Sequence, residues 1–406
     1  MNQDDFPDGF LWGAATSSHQ VEGGTRNQWS EWERSPERLA RLEREGLIAR
    51  YGRENFISGA AADHYHRFES DFALAKELGH NATRISIEWS RVESREGEFN
   101  AVEVDHYRQV IASIRRNGMV PFVTLWHWTF PLWFRDRGGF GRRGNVRYFA
   151  RFAARMAAEF PDVPFWLTIN EPEVYTNTSY LRGDWPPQAR NPILAIRVFH
   201  NLIAAHKAAY REIKTASPSS RVGIAKNNTY FEAYGGAVGN RIVKRFLDWT
   251  VNHYFLDHIR DAQDFIGLNH YFHSRIRRGV SNRNENTTVS DLGWELFPAA
   301  MCETIMDLRR YGVPIYITEN GLADARDERR SWFIAETLAN VRRAIADGAD
   351  VRGYLHWSLM DNFEWANGFW PRFGLIEIDY RTFARKIRPS ALAYRDIIQE
   401  SRKSVS

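Results

Sequence analysis

The sequence predicts a single-domain α/β fold, a (β/α)8 TIM barrel with long βα loops, over residues 1–406. Three observations lead there. Short β-rich runs, each followed by a polar loop and a longer helical pattern, recur eight times, and no Ser/Gly linker or charge block divides them. Glycines stand between several helical patterns and the strand that follows. The rival, a doubly wound sheet, should carry a glycine-rich phosphate turn after its first strand. No G-x-G-x-x-G stands there, and no G-x-x-x-x-G-K-[ST] occurs anywhere.

In chain order, the first strand is read over residues 10–15, and a long loop follows over 20–60. A helical pattern over 61–78 ends at Gly79, before the second strand at 82–88. In the next helix, 102–117, Val104, Tyr107, Val110, Ile111 and Ile114 keep the i, i+3, i+4 spacing of one apolar face. Gly118 then precedes the third strand, 120–125. Helix 146–159 leads to the fourth strand, 165–169, and helix 193–217 to the fifth, 221–225. The sixth, 264–269, opens a second long loop over 271–298. Gly312 precedes the seventh strand, 314–318, and helix 330–347 ends at Gly348 before the eighth, 353–357. Gly79, Gly118, Gly312 and Gly348 thus occupy the places where a left-handed C-cap is expected. An ideal barrel takes about 250 residues, so a surplus of about 150 belongs to loops, and in such a barrel the loops after the strands build the active face.

Composition narrows the function. With 43% hydrophobic and 26% charged residues the chain is an ordinary globular protein. Mean hydropathy is −0.50, and no run approaches the roughly 18 apolar residues of a membrane span. The start, Met1-Asn-Gln-Asp-Asp-Phe-Pro, lacks a basic segment followed by an apolar stretch, so no secretory signal is expected. The single Cys302 excludes an internal disulfide framework and suits the cytoplasm. Lys plus Arg number 54 against 50 Asp plus Glu, a net of only +4, and the arginines are scattered rather than clustered. They read as solvated surface and ion pairs, with no nucleic-acid or membrane partner expected. The aromatic load of 15 Trp, 16 Tyr and 26 Phe is more informative, because several rings stand beside polar residues at strand ends.

The chemistry is read at those ends. The fourth strand ends Thr168-Ile-Asn170-Glu171-Pro, and the seventh Ile317-Thr-Glu319-Asn-Gly, each an apolar run closing on a carboxylate. Strands four and seven lie three steps apart in an eight-membered ring, so their ends can face each other across the mouth. Facing carboxylates are what glycosidic cleavage needs: one meets the anomeric carbon, and the other, protonated, serves the departing oxygen. A gap of about 5 to 5.5 Å means attack by the enzyme and retention, and one of about 6.5 to 9.5 Å admits water and means inversion. The residues leave that choice open. Other strand ends carry His19-Gln20, Arg84, Trp126-His127-Trp128, Asn269-His270-Tyr271, and His356-Trp357 before Glu364-Trp365. Amides and carboxylates suit sugar hydroxyls, and indoles suit the C–H face of a pyranose. Trp126, Trp128 and Trp133 read first as packing, with Trp128 kept among the candidate sugar contacts. His64-x-His66 opens a helical pattern rather than closing a strand, so no metal is assigned there.

In order, T-x-N-E-P, G-L-N-x-Y, I-T-E-N-G and W-S-L-M-D-N-F-E-W…R-F-G-L resemble glycoside hydrolase family 1, the retaining β-glycosidases, from about Phe10 to Tyr394. The resemblance implies that Glu171 is the acid/base and Glu319 the nucleophile, with Tyr271 and Arg84 positioning Glu319. It implies substrate contacts at Gln20, His127, Trp128, Asn170, Asn269, Glu364 and Trp365, a floor at Trp357, and Trp294 beside the leaving group. No cofactor is implied. The expected partner is a small β-glycoside or oligosaccharide. The family pattern usually has Asp or Pro where this chain has Thr129, and Phe369-Trp370-Pro371, also unusual, is expected near the sugar 6-hydroxyl. Glu364 and Trp365 argue for an unphosphorylated sugar, and retention of Glu171 argues for O-glycosides. The other readings are a silent sugar-binding barrel, a transglycosylase, and a metal-dependent hydrolase using His64 and His66.

Overall fold

The structure is a computed structural model and describes residues 6–278, 281–282 and 285–403. Parts of the expected start (1–5) and of the expected 271–298 loop (279–280 and 283–284) lie outside the described residues. Eight parallel strands close a barrel in sequential order: β1 Leu11–Ala15, β2 Ala82–Ser86, β3 Val120–Trp126, β4 Phe165–Asn170, β5 Arg221–Asn227, β6 Phe265–Asn269, β7 Ile315–Asn320 and β8 Val351–Trp357. After each strand comes a main helix: α1 His64–Glu77, α2 Ala101–Arg116, α3 Val146–Glu159, α4 Pro192–Ala216, α5 Val238–Leu247, α6 Ala300–Leu308, α7 Arg330–Ala346 and α8 Pro389–Lys403. None of the described helices is long and apolar enough to cross a membrane.

The capping glycines behave as expected. Gly79, Gly118, Gly312 and Gly348 have φ of 77°, 75°, 65° and 89°, open to glycine and strained for other residues. The strand ends differ from the expectation. β4 and β7 run on to Asn170 and Asn320, because parallel pairing continues past the last apolar residue: Asn170 pairs with Ala225, and Asn320 with His356. The long first loop is a correction too. It folds as short helices, Gln28–Glu33, Pro36–Arg44 and Leu47–Tyr51, the first capped by Asn27, whose Oδ1 accepts from Trp29 N and Ser30 N. After β6, the segment His273–Arg277 pairs with Tyr230–Ala233 as a small rim sheet.

Side chains alternate across each strand, and the inward set is layered. Toward the N-terminal ends, Phe122, Phe165, Phe265 and Tyr316 plug the barrel with Leu167 and Leu355, the Phe122 and Phe165 rings 4.3 Å apart. Two residues beyond Ala82, Phe122, Tyr316 and Leu355 come Arg84, Thr124, Thr318 and Trp357, and Asn269 stands four beyond Phe265. An apolar plug therefore lies directly beneath a polar layer.

Past β8, Asp361 is fully buried and accepts from Arg388 Nη2 (2.8 Å), Arg372 Nη1 (3.2 Å) and Gly374 N (2.9 Å). It ties the segment that carries Glu364 to the approach of α8. Because removal of Asp361 strands two guanidinium groups, Asp361→Ala should lower the unfolding free energy by about 3–5 kcal/mol. Urea denaturation measures this, and a loss below about 1 kcal/mol, the value of an exposed pair, would contradict it.

Candidate active site

Glu319 stands near the end of β7, where the register against both β6 and β8 slips after Ile317. Such an irregularity re-aims side chains, and here the Glu319 carboxylate enters the barrel mouth. Arg84 Nη1 donates to its Oε1 and the Tyr271 hydroxyl to its Oε2 at 2.9 Å. Arg84 is itself buried. Its Nε donates to Thr124 Oγ1 (2.9 Å) and its Nη2 to Asn170 Oδ1 (2.7 Å), so the guanidinium is fixed from three sides. Burial and the Glu319 charge push the Tyr271 hydroxyl well above its ordinary range, which keeps its proton available for donation.

Glu171 follows β4 with φ 41° and ψ 67°, a left-handed conformation that costs energy for a residue other than glycine. Its Oε1 accepts from Asn269 Nδ2 (2.9 Å) and Asn227 Nδ2 (3.1 Å). The two carboxyls are unequal. At Glu171, burial and the charges of Glu319 and Glu173 all favour the proton and raise its pKa well above the usual range. At Glu319, burial also raises the pKa, but Arg84, Tyr271 and Asn269 oppose it. One proton shared between them therefore resides on Glu171 and the charge on Glu319.

Both carboxyls line a cavity of about 290 Å³ with His127, Trp128, Trp294, Trp357, Glu364 and Trp365. A larger groove of about 690 Å³ beside Trp32 and Phe130 contains neither carboxyl. Asn170 Oδ1 is taken by Arg84, so its Nδ2 donates to His127 Nε2 at 3.0 Å. The imidazole proton is thereby assigned to Nδ1, which has no partner, and burial beside Arg84 holds the ring neutral. Glu364 Oε2 is likewise buried without a partner. Around these groups the indoles form a continuous wall, Trp128 lying 4.7 Å from Trp185 and 4.9 Å from Trp365.

The model of glycosyl hydrolase family 1 matches residues 2–258 and 236–403. The chain belongs to glycosyl hydrolase family 1. It is 32% identical to a β-galactosidase of Sulfolobus acidocaldarius, covering 98% of this chain and 95% of that one. It is 29% identical to β-glucosidase A of Thermotoga maritima, covering 99% of each. Among solved structures, a β-glycosidase from Pyrococcus horikoshii superposes with a TM-score of 0.88 at 36% identity, covering 98% and 96%. The Thermotoga maritima β-glucosidase in complex with glucoimidazole gives 0.89 at 28%, covering 98% and 99%.

For this family 1 chain, the structure brings twelve of the thirteen expected residues together in two tiers. The eight named as lining the cavity, including Glu171 and Glu319, and Tyr271 reach its surface. Arg84, Asn170 and Asn269 lie beneath, bonded to one another or to the carboxyls. Gln20 Nε2 donates to Asn362 Oδ1 and Phe363 O, both at 2.9 Å, and its Oε1 accepts from Ser17, so it holds the strap that carries Glu364. Trp126 and Trp133 are packing residues, the latter donating to Glu93 O. Thr129 turns inward to Glu88 Oε2 at 2.7 Å. The expected place of 369–371 beside the sugar is corrected: Trp370 stacks on Tyr51 outside the cavity, because the first loop folds over this strap. His64 is bonded to Asp71 and His66 to Asp63, so each imidazole is held by a single carboxylate within its own helical segment.

Several lining residues were not expected, among them Asn227, Trp185, Thr178 and Phe272. Asn227 is positioned by a buried pair, since Glu173 Oε1 accepts from Asn227 N (2.8 Å) and lies 3.1 Å from Lys226 Nζ. Burial lowers the Lys226 pKa and raises that of Glu173. Asn227 lies two residues past the last apolar residue of β5, the only signal that could have found it.

Burial, then the charge of Glu319, raises Glu364 to about 8, so at neutral pH it is an acid that can donate as well as accept. Its folded pKa exceeds its unfolded one, so the native state holds the extra proton and the Glu364 contribution declines as pH rises from about 4.5 to about 8. Glu364→Gln mimics the protonated form. Its stability relative to the wild type should rise across that window and level off above it in pH-dependent urea melts. A difference independent of pH would mean that Glu364 is ionised throughout.

Proposed function

We propose that this chain is a retaining exo-β-glycosidase that removes a terminal β-D-glucosyl residue, and galactosyl or fucosyl residues also, from an O-glycoside, through a covalent bond to Glu319. The observation that carries this reading is the pair of buried carboxyls with unequal hold on one proton. Glu319 attacks C1 as the aglycone oxygen departs and takes the proton of Glu171. The ester that forms neutralises Glu319, so one of the charges that kept Glu171 protonated is gone. Glu171 then accepts a proton from water as the water oxygen bonds to C1 and Glu319 leaves as a carboxylate. Both carboxyls line one cavity, and relatives named β-glucosidase and β-galactosidase in the same family support direct attack by Glu319.

The sugar site follows from the unsatisfied groups. His127 Nδ1–H and Glu364 Oε2 are buried polar atoms without partners, and hydroxyls of a bound sugar would satisfy them. Trp357 and Trp365 offer ring faces to its C–H surface. The cavity ends on Arg84 and the aromatic plug beneath it, so a saccharide enters by its terminus. Trp294, packed edge-on against Phe272 at 4.8 Å, takes the aglycone side. Relatives named β-glucosidase and β-galactosidase support either configuration at C4. The single buried thiol, Cys302, fits a reducing compartment, and we place the protein in the cytoplasm.

The test uses nitrophenyl β-glucoside and β-galactoside with azide as an added nucleophile. Glu319→Gly should be inactive, and azide should restore turnover by entering the vacated face, giving the α-glycosyl azide. Glu171→Ala should lose about 10²–10⁴-fold on glycosides with poor leaving groups, and azide should give the β-glycosyl azide. A Glu319→Gly enzyme with wild-type turnover would remove Glu319 from the role of nucleophile.

A further inference from the structure

A surface helix of a globular protein normally turns its polar side to water. Helix α5 also exposes an apolar stripe. Val238, Ile242, Phe246 and Trp249 of its extension, at i, i+4, i+8 and i+11, are 63%, 65%, 60% and 48% exposed. Its inward contacts are made by Val243 and Leu247, which are only half-buried. Averaged hydropathy misses this stripe because the four residues are spread at helical spacing.

The surroundings of the stripe are basic. Arg241 and Arg245 flank it, and neither makes an ion pair among the described residues. Lys244 lies on the far flank, paired with Asp248. Arg278 N donates to Asn240 Oδ1 (3.1 Å), which brings Arg277 and Arg278 of the rim sheet beside the start of α5. The apolar surface continues away from them. Trp249 packs edge-on against Tyr254 at 5.2 Å, and the Tyr254 hydroxyl meets His200 Nε2 at 3.2 Å, one turn of α4 from the exposed Ile196.

We propose that this face docks on an anionic lipid bilayer, with α5 lying in the plane of the surface. Exposed Ile, Phe and Trp enter the headgroup and acyl boundary, while the arginines stay at the level of the lipid phosphates. Charge complementarity favours this occupant over a second copy of the chain. A two-fold contact would set this basic patch against the same basic patch of a second copy, whereas an anionic surface neutralises Arg241 and Arg245. The proposal does not depend on the glycosidase reading.

Co-sedimentation with vesicles tests it, comparing phosphatidylcholine alone with phosphatidylcholine containing phosphatidylglycerol, at low and high salt. The wild type should pellet with the anionic vesicles and be released by salt. Arg241→Gln and Arg245→Gln should each weaken partitioning about fivefold, and Ile242→Ser with Phe246→Ser roughly tenfold or more, with thermal unfolding unchanged. No preference for anionic vesicles, or binding that these variants leave intact, would overturn the proposal. So would a dimer that Phe246→Ser dissociates, with no vesicle binding.

Discussion

A guanidinium sealed inside a barrel must be neutralised, since desolvation of an unpaired charge costs several kcal/mol. Arg84 is in that position, and its partners are residues that a glycosidase needs to have immobile. Glu319 supplies the countercharge, Asn170 and Thr124 the remaining acceptors, and Thr318 O lies 3.4 Å from Nη1. The same contacts that satisfy Arg84 thus hold the Glu319 carboxylate charged and aimed at the cavity, and they turn the Asn170 amide so that it donates to His127. Glu171 has no cation of its own and keeps the proton. Charge asymmetry between two chemically identical side chains follows from which of them the arginine can reach.

The layers above and below strengthen this arrangement. Phe122, Phe165, Phe265 and Tyr316 fill the barrel beneath Arg84, and the indoles of Trp128, Trp185 and Trp365 line the mouth. Interactions between charges grow as water is excluded, so the apolar plug and wall set how firmly the proton is apportioned. The elevation of Glu364 to about 8 has the same cause.

Much of this was readable in the chain because period-two apolar runs end abruptly at Asn170-Glu171 and Glu319-Asn320, and a carboxylate at the end of a barrel strand has few structural uses. β3, β4, β5 and β7 run past their expected ends, since ladder pairing continues beyond the apolar runs, whereas β2 stops at Ser86, short of the expected residue 88. Asn227 and Lys226 belong to the polar continuation of β5, and Glu173 to the short helix Pro172–Thr176 that directly follows β4, so hydrophobic patterning does not mark them. The partners of Gln20 and Trp370 are not legible locally because they come from long-range packing: Gln20 meets a segment 342 positions away, and Trp370 stacks on Tyr51 of the first loop. Trp185 stands in a proline-rich loop with no periodicity to indicate which way its ring turns. The α5 stripe lies outside the helical patterns read from the sequence, and spacing alone cannot tell an inward face from an outward one.

The most direct measurement is the titration of the Glu171 carboxyl by ¹³C NMR, before and after Glu319 is esterified with a slowly hydrolysed 2-deoxy-2-fluoro β-glucoside. If the Glu319 charge helps to hold the proton on Glu171, the Glu171 midpoint should fall once that charge is removed. A midpoint that stays in place or rises would contradict the account.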